Sequence, residues 1–355
     1  MSGNLIHQLH AGSSMPKDWG GIERYLVYLT TEMAARGHTI TATAPSKSPL
    51  SQNLTVPQIP ARLLHKYDPL TLATYLRILQ SNQPELLVTH FSPDYIMPAY
   101  AARLTKTKTC MTRHVTAQFK PSRTKLYEKL YDGYVAISKA VQDHLIQDGI
   151  PSERVHLAYN GSPPLAPSSK LDLAEPSVGV FGRLVWVKGQ DLAIRSLEHL
   201  PGAHLHLFGD GPFEGELKLL AKSLSVADRT HFHGHITNVA DAMASVDVIL
   251  IPSIWREAFG FTAVEAMSLA KPIVANNYGG LSEIFTHNQT AFLFKSPNPE
   301  DPDPKKVAQL IKKLLNDPSL GAKLGQAAKV HYESNFTVPH MVDRLETIYN
   351  KIISP

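Results

Sequence analysis

The sequence predicts two α/β domains in tandem, each a doubly wound parallel sheet, and three observations carry that expectation. Short apolar runs alternate with amphipathic stretches over most of the chain, as they do where helices cover both faces of a parallel sheet. The alternation pauses once, in the Pro- and Ser-rich segment SPPLAPSSKLDLAEP at 162–176, and then restarts from a fresh strand. The 355 residues are enough for two domains of ordinary size. The expected domains are 1–165 and 166–335. A cleft between two such sheets is a favoured ligand site, with hinge closure as its usual consequence.

The elements follow in order. NLIHQLH reads as the first strand. In IERYLVYLTTEMAARG, Ile22, Leu26, Leu29 and Met33 recur at helical spacing, and Gly37 fits the C-cap. TITATAP is a strand, LTLATYLRILQSN a helix, and ELLVTHF and TCMTRHV are buried strands. A basic helix near TKLYEKLY, the strand GYVAIS, the helix KAVQDHLIQDG and the strand VHLAYNG complete the first set. The second set reads SVGVFG strand, DLAIRSLEHL helix, HLHLFG strand, FEGELKLLAKSL helix, THFHG strand and VADAMAS helix. It continues with VDVILIP strand, FTAVEAMSLA helix and PIVAN strand, and the tail is helical.

Composition narrows the class. With 43% hydrophobic and 19% charged residues the chain can bury a sizeable core. No apolar run approaches the roughly 18 residues that span a bilayer. The N-terminus lacks a basic region followed by an apolar one, so secretion is not expected. The single cysteine, Cys110, excludes an internal disulfide framework and fits a reducing, cytoplasmic compartment. Residues 1–167 hold 17 Lys and Arg against 11 Asp and Glu, a net +6, while 168–355 hold 18 against 20, a net −2. The excess gathers in Arg103, Lys106, Lys108, Arg113, Lys120, Arg123, Lys125 and Lys129. Phe119, Leu126, Tyr127, Leu130 and Tyr131 lie among these cations, a mixture that suits an interfacial helix. The first domain is therefore expected to meet an anionic membrane or a phosphorylated acceptor through Lys120, Arg123, Lys125 and Lys129. No recognition motif for nucleic acid accompanies the charge.

The chemistry concentrates in EAFGFTAVEAMSLAKPIV. Glu257 and Glu265 flank a glycine turn directly after the strand VDVILIPS. That turn falls at the carboxyl edge of a sheet, where open α/β folds bind ligands. Paired carboxylates suit the hydroxyls of a sugar or ribose, and the helix N-terminus can hold an anion without a metal. Arg183 and Lys188, in the loop leaving the first strand of the second domain, suit a diphosphate. Gly20 and Gly21 open the first long helix and allow close backbone approach to a ligand. Gly209, Gly211 and Gly215 do not keep the dinucleotide-binding spacing and read as a turn lining a nucleotide pocket. His90 and His114 end strands of the first domain; His90 reads as structural and His114 as functional. His231, His233 and His235 share a strand face, but no Cys or acidic ligand lies nearby, and no metal site is expected. There is no G-x-S-x-G elbow.

Together these residues resemble the retaining glycosyltransferases of family four (glycosyl transferases group 1), which have the GT-B fold. The resemblance rests on GGIE, the NG at 160–161, GRLVWVKG, FGDGP, FHGHI, the Glu257–Glu265 spacing with FGF inside it, and GGLSEI at 279–284. It implies a nucleoside diphosphate sugar held mainly by the second domain. Arg183 and Lys188 would bind the diphosphate, Glu265 the ribose, and Glu257 the donor-sugar hydroxyls. Phe259, Gly260, Phe261 and Thr262 would form the turn whose amides contact sugar and phosphate. His114 would lie near the donor sugar and Gly21 near the phosphates. The tail FTVPHMVDRLETIY, within 336–355, resembles the family's terminal helix that crosses back to the first domain. The chain departs from the family in placing Ser162 and Pro163 after the NG, and in keeping only His90 of an H-x-H strand end.

The implied reaction moves a sugar from a nucleoside diphosphate sugar, a UDP-sugar favoured over GDP-mannose, to a lipid-linked, polysaccharide or small-molecule hydroxyl. It needs no metal or cofactor and retains anomeric configuration. Two other readings stay open: an epimerase or hydrolase of the same fold, which would act on the donor alone, and a non-catalytic sugar-nucleotide-binding module. Location at the inner face of the cytoplasmic membrane is the matching expectation.

Overall fold

The computed structural model describes residues 5–12, 19–61, 67–295 and 302–354. The polar loop expected ahead of Gly20 falls largely on 13–18, outside the described residues. The chain forms two compact units, Met1–Pro163 with Asn335–Pro355, and Pro164–Ser334.

Among the described residues, the first unit holds a seven-stranded, all-parallel sheet. Its strands are β1 (His7–Ala11), β2 (Thr39–Ala44), β3 (Gln58–Pro60), β4 (Leu86–Thr89), β5 (Lys108–Arg113), β6 (Gly133–Ala136) and β7 (Val155–Leu157). The spatial order is β3-β2-β1-β4-β5-β6-β7. Strand order therefore reverses between β1 and β4, and the crevice beyond their carboxyl ends is where such sheets bind ligands. β4 (LLVT) is buried along its whole length, as both-face coverage requires. One crossover helix, Met97–Thr105, was not legible in the sequence. It buries Ala99, Ala101 and Ala102, and an alanine face leaves little apolar periodicity to read.

The helix Val338–Ile353 belongs to this unit. It buries Met341, Val342, Leu345 and Tyr349, while Arg36 donates to Asp343 (2.6 Å) and Glu346 (2.9 Å). His38 Nδ1 accepts from the Ile6 amide (3.1 Å), so its Nε2–H donates to Glu346 (2.8 Å).

The second unit repeats the plan with six parallel strands among the described residues. These are β8 (Ser177–Phe181), β9 (His204–Phe208), β10 (Thr230–Gly234), β11 (Val248–Ile251), β12 (Ile273–Asn276) and β13 (Phe292–Phe294), in the order β10-β9-β8-β11-β12-β13. The reversal falls between β8 and β11. One core cluster joins Val178 and Val180 of β8, Leu205 and Leu207 of β9 and Leu250 of β11 to helix residues such as Leu192 and Ile311.

The Pro- and Ser-rich segment 162–176 is held by hydrogen bonds to the second unit. Asp241 accepts from the Ser168 amide (2.6 Å) and Ser169 hydroxyl (2.8 Å), and Ser245 accepts from the Leu171 amide (2.8 Å). The polar residues that made it look solvated instead tie it along the second unit.

Candidate active site

In the second unit the side chains of interest come from the loops after the two strands that flank the reversal. β8 ends at Phe181; Arg183 follows and is exposed, its guanidinium in no ion pair among the described residues. Lys188 ends a short 3-10 turn, Trp186–Lys188, that leads into the helix Gln190–Leu197. β11 ends at Ile251, and Ser253 and Glu257 follow in the next loop. Lys188 Nζ donates to Glu257 Oε1, and Ser253 Oγ donates to the same oxygen at 2.8 Å. Asn276, at the end of β12, donates to the Ser253 carbonyl (3.0 Å) and holds that loop from below. Glu257 Oε2 takes no hydrogen bond among the described residues. Gly189 makes the meeting possible: with φ at +70°, its missing Cβ would lie 2.2 Å from the Pro252 carbonyl oxygen.

Gly260 caps the helix Phe261–Ser268 in a left-handed conformation, φ +116°. Phe259 is buried, Phe261 and Thr262 are half-buried, and Phe259 meets Phe261 edge to face at 5.7 Å. Glu265 is 5% exposed, one turn into the helix. Gly209 and Gly211 are required by close packing. A Cβ on either would strike the backbone of Gly182 or Leu184, at 2.1 and 2.2 Å. Their loop packs on the loop that carries Arg183.

In the first unit Gly21 is exposed at the start of the helix Gly21–Ala35, whose Glu23 carboxylate accepts from the Gly20 amide (2.9 Å). His114 follows β5 and is buried, with the Tyr25 ring edge-on at 4.7 Å. His90 follows β4 and does not stand apart from it: His90 Nδ1 lies 3.4 Å from His114 Nε2. Burial first, and then the Arg113 charge, takes the His114 imidazole down to about 3.

Three neighbours of these groups are not marked as such in the sequence. Ser253 was visible only as the last residue of VDVILIPS. His10 and Gln8 were hidden in a strand, although polar residues alternating through a buried strand are a signal in themselves.

Two expectations are corrected. Of the three histidines expected on one strand face, His235 lies past the end of β10, while His231 and His233 pair across to β9, His231 with His204 (3.1 Å) and His233 with His206 (3.0 Å). Among the described residues, no group of three or more His, Cys, Asp or Glu is placed to hold a metal ion. The basic stretch does not present an apolar face, because Tyr127, Leu130 and Tyr131 are in the core. Phe119 packs on Tyr127 at 4.8 Å with the Arg113 guanidinium 4.4 Å over its ring. The helix Pro121–Leu130 runs from the carboxyl edge of β5 to the amino edge of β6. Lys120, Arg123 and Lys125 thus lie toward the crevice end, while Lys129 joins Arg103 and Lys108 at the opposite end, lining a separate cavity with Asp132 and Glu153. No helix among the described residues is long and apolar enough to cross a membrane.

Two doubly wound parallel units, with cations after the first strand of the second unit and carboxylates after its fourth, define a GT-B architecture. Solved structures match it over almost the whole length: HepE of Anabaena, in a complex with UDP and glucose, superposes with a TM-score of 0.82 over 97% of this chain and 99% of its own, at 21% identity. The model of the "Glycosyl transferases group 1" family matches residues 164–331, and that of "Glycosyltransferase Family 4" residues 19–164. The chain belongs to the group 1 glycosyltransferases. Among curated relatives, the N-acetyl-alpha-D-glucosaminyl L-malate synthase of Bacillus anthracis is 33% identical over 151 residues, 42% of this chain and 38% of that protein. The lipopolysaccharide core biosynthesis mannosyltransferase LpsB of Rhizobium meliloti is 39% identical over 125 residues, 33% of this chain and 35% of that protein. The chain thus aligns with well under two thirds of the length of either relative.

Proposed function

We propose that the protein transfers a sugar from a nucleoside diphosphate sugar to a hydroxyl acceptor with retention at the anomeric carbon, and that the second unit holds the donor. The observation that carries this reading is the meeting of Lys188, Ser253 and Glu257 beyond the two central strands, with Arg183, in no ion pair among the described residues, on the same loop as Lys188 and Glu265 one turn into the adjoining helix. Arg183 and Lys188 would take the diphosphate, Glu265 the ribose, and Glu257 the sugar hydroxyls. Phe259, Gly260, Phe261 and Thr262 would bring backbone amides to the sugar and phosphate. Gly21 would lie near the phosphates.

In the reaction the bond from the anomeric carbon to the phosphate oxygen breaks, and the acceptor oxygen bonds to the same face of that carbon. The acceptor's proton passes to the departing phosphate oxygen. Charge growing on the diphosphate is stabilised by Arg183, Lys188 and the helix N-terminus. No metal or cofactor is required in this scheme, and Glu257 positions the sugar rather than attacking it.

UDP is the favoured nucleotide, and the UDP-bound Anabaena structure of the same fold supports it. A GDP-mannose donor is the second reading, supported by the mannosyltransferase relative. The test incubates the chain with each of several sugar nucleotides and a panel of hydroxyl acceptors, and follows the anomeric proton by NMR. Retained configuration in an acceptor-dependent product supports the reading. Inverted product refutes the mechanism, and donor conversion without acceptor favours an epimerase or hydrolase.

A further inference from the structure

The first unit contains a row of three buried histidines whose protons have only one consistent arrangement. Gln8 and His10 lie on β1, His90 directly follows β4 and His114 directly follows β5, three neighbouring strands. Gln8 Oε1 is 3.0 Å from His10 Nε2, His10 Nδ1 is 3.0 Å from His90 Nε2, and His90 Nδ1 is 3.4 Å from His114 Nε2. The Gln8 amide is oriented by its own nitrogen, which reaches Met33 Sδ at 3.9 Å. A carbonyl oxygen only accepts, so His10 carries its proton on Nε2. A neutral His10 then has a bare Nδ1, and His90 must donate to it from Nε2. His90 is left with a bare Nδ1, which a proton on His114 Nε2 satisfies. The three rings are 0%, 1% and 6% exposed. Burial holds all three neutral, so no ring has a second proton with which to reverse the order. The row ends at His114 Nδ1, which takes no partner among the described residues.

We propose that Gln8, His10 and His90 are positioning residues that lock His114 in its Nε2–H tautomer, so that Nδ1 offers a lone pair to a hydroxyl of the bound donor sugar. The inference rests on the reading of His114 as a donor-sugar contact, and it deepens that reading into a specificity rule. A fixed lone pair rewards a sugar with a free hydroxyl at that position and penalises one carrying hydrogen or an ether there. An imidazole free to exchange tautomers would not discriminate as sharply.

Two variants separate proton order from packing. His90→Gln keeps the order, since its amide oxygen accepts from His114 while its amide nitrogen donates to His10. His90→Leu fills similar space and cuts the row. In the full chain with ring-¹⁵N-labelled histidine and no ligand, the His114 signals are assigned by their loss in His114→Gln. They should show one protonated and one bare nitrogen in the wild type and in His90→Gln, and tautomer-averaged shifts in His90→Leu. With donor and acceptor, His90→Leu should lower kcat/KM for the donor on the order of tenfold, the worth of one hydrogen bond, and His90→Gln should recover most of it. If His90→Leu does not fold, Gln8→Leu cuts the row from its far end with the same expectations. Unchanged His114 nitrogens in the cut row, or a Gln variant no better than Leu, would overturn the proposal. A locked His114 in a chain inert toward every nucleotide sugar would support the row and overturn the functional reading instead.

Discussion

Glu257 Oε1 accepts from Lys188 and Ser253 together, while Arg183 is unpaired among the described residues. In the proposed site a diphosphate beside Lys188 would compete with Glu257 for one ammonium, and Arg183 would be the cation whose full charge is available to the leaving group. Arg183→Ala should therefore lower kcat by about 10²–10³, as losing one preorganised donor does in other enzymes. An unchanged kcat at saturating donor would remove Arg183 from the reaction. Gly189 is the second residue on which the site depends. An alanine there meets the Pro252 carbonyl at 2.2 Å in a left-handed conformation, and the loop must shift. Gly189→Ala should cost about 2 kcal/mol or more of stability, measured by denaturant unfolding, and should weaken donor binding as Lys188 moves off Glu257.

The terminal helix Val338–Ile353 and the histidine row are the elements whose stability is most open to test. Arg36 joins that helix to Gly21–Ala35 by pairing with Glu32, Asp343 and Glu346. The pairs are part-exposed, so Arg36→Ala should cost only about 1 kcal/mol. It should nevertheless speed amide exchange across 338–353 more than across β4 or β5; equal speeding everywhere would show that the helix is not a separable element. The histidine row gives a pH dependence of known sign. Burial lowers His10 and His114 to about 3 in the folded chain, against about 6.5 unfolded. Below 6.5 the unfolded chain binds more protons, so this stability is intact above that pH and is lost as pH falls toward 3. Each buried histidine should contribute on the order of 1 kcal/mol per pH unit in that window. Unfolding free energies at pH 7 and pH 5 should therefore differ less in His90→Gln than in the wild type.

At the scale of the whole molecule, much of the fold was legible because parallel strands are written as continuous apolar runs. β4, β8 and β11 could be read directly from LLVT, SVGVF and VILI. The helix Met97–Thr105 could not, since alanine packs well without marking a period. The aromatic residues of 119–131 misled in the opposite direction: Tyr127 and Tyr131 face the core, and cations beside them in sequence lie at both ends of the sheet. The candidate site was half legible. Glu257, Glu265, Arg183 and Lys188 stood out by spacing and by their places at strand ends. The bond between Lys188 and Glu257 did not, because residues distant in sequence meet only once β8 and β11 are neighbours. The three-histidine row was invisible for the same reason, since β1, β4 and β5 each contribute one ring.

Arg183, Lys188, Glu257 and Glu265 are proposed to hold a nucleoside diphosphate sugar together. Calorimetric titration of the wild type with UDP and with GDP, repeated on a chain carrying both Arg183→Ala and Glu265→Ala, is the sharpest test of that site. Saturable binding of one nucleotide, UDP before GDP, is expected, with its loss in the double variant while the fold stays intact. Equal binding by the double variant, or no binding of either nucleotide by the wild type, would rule the site out.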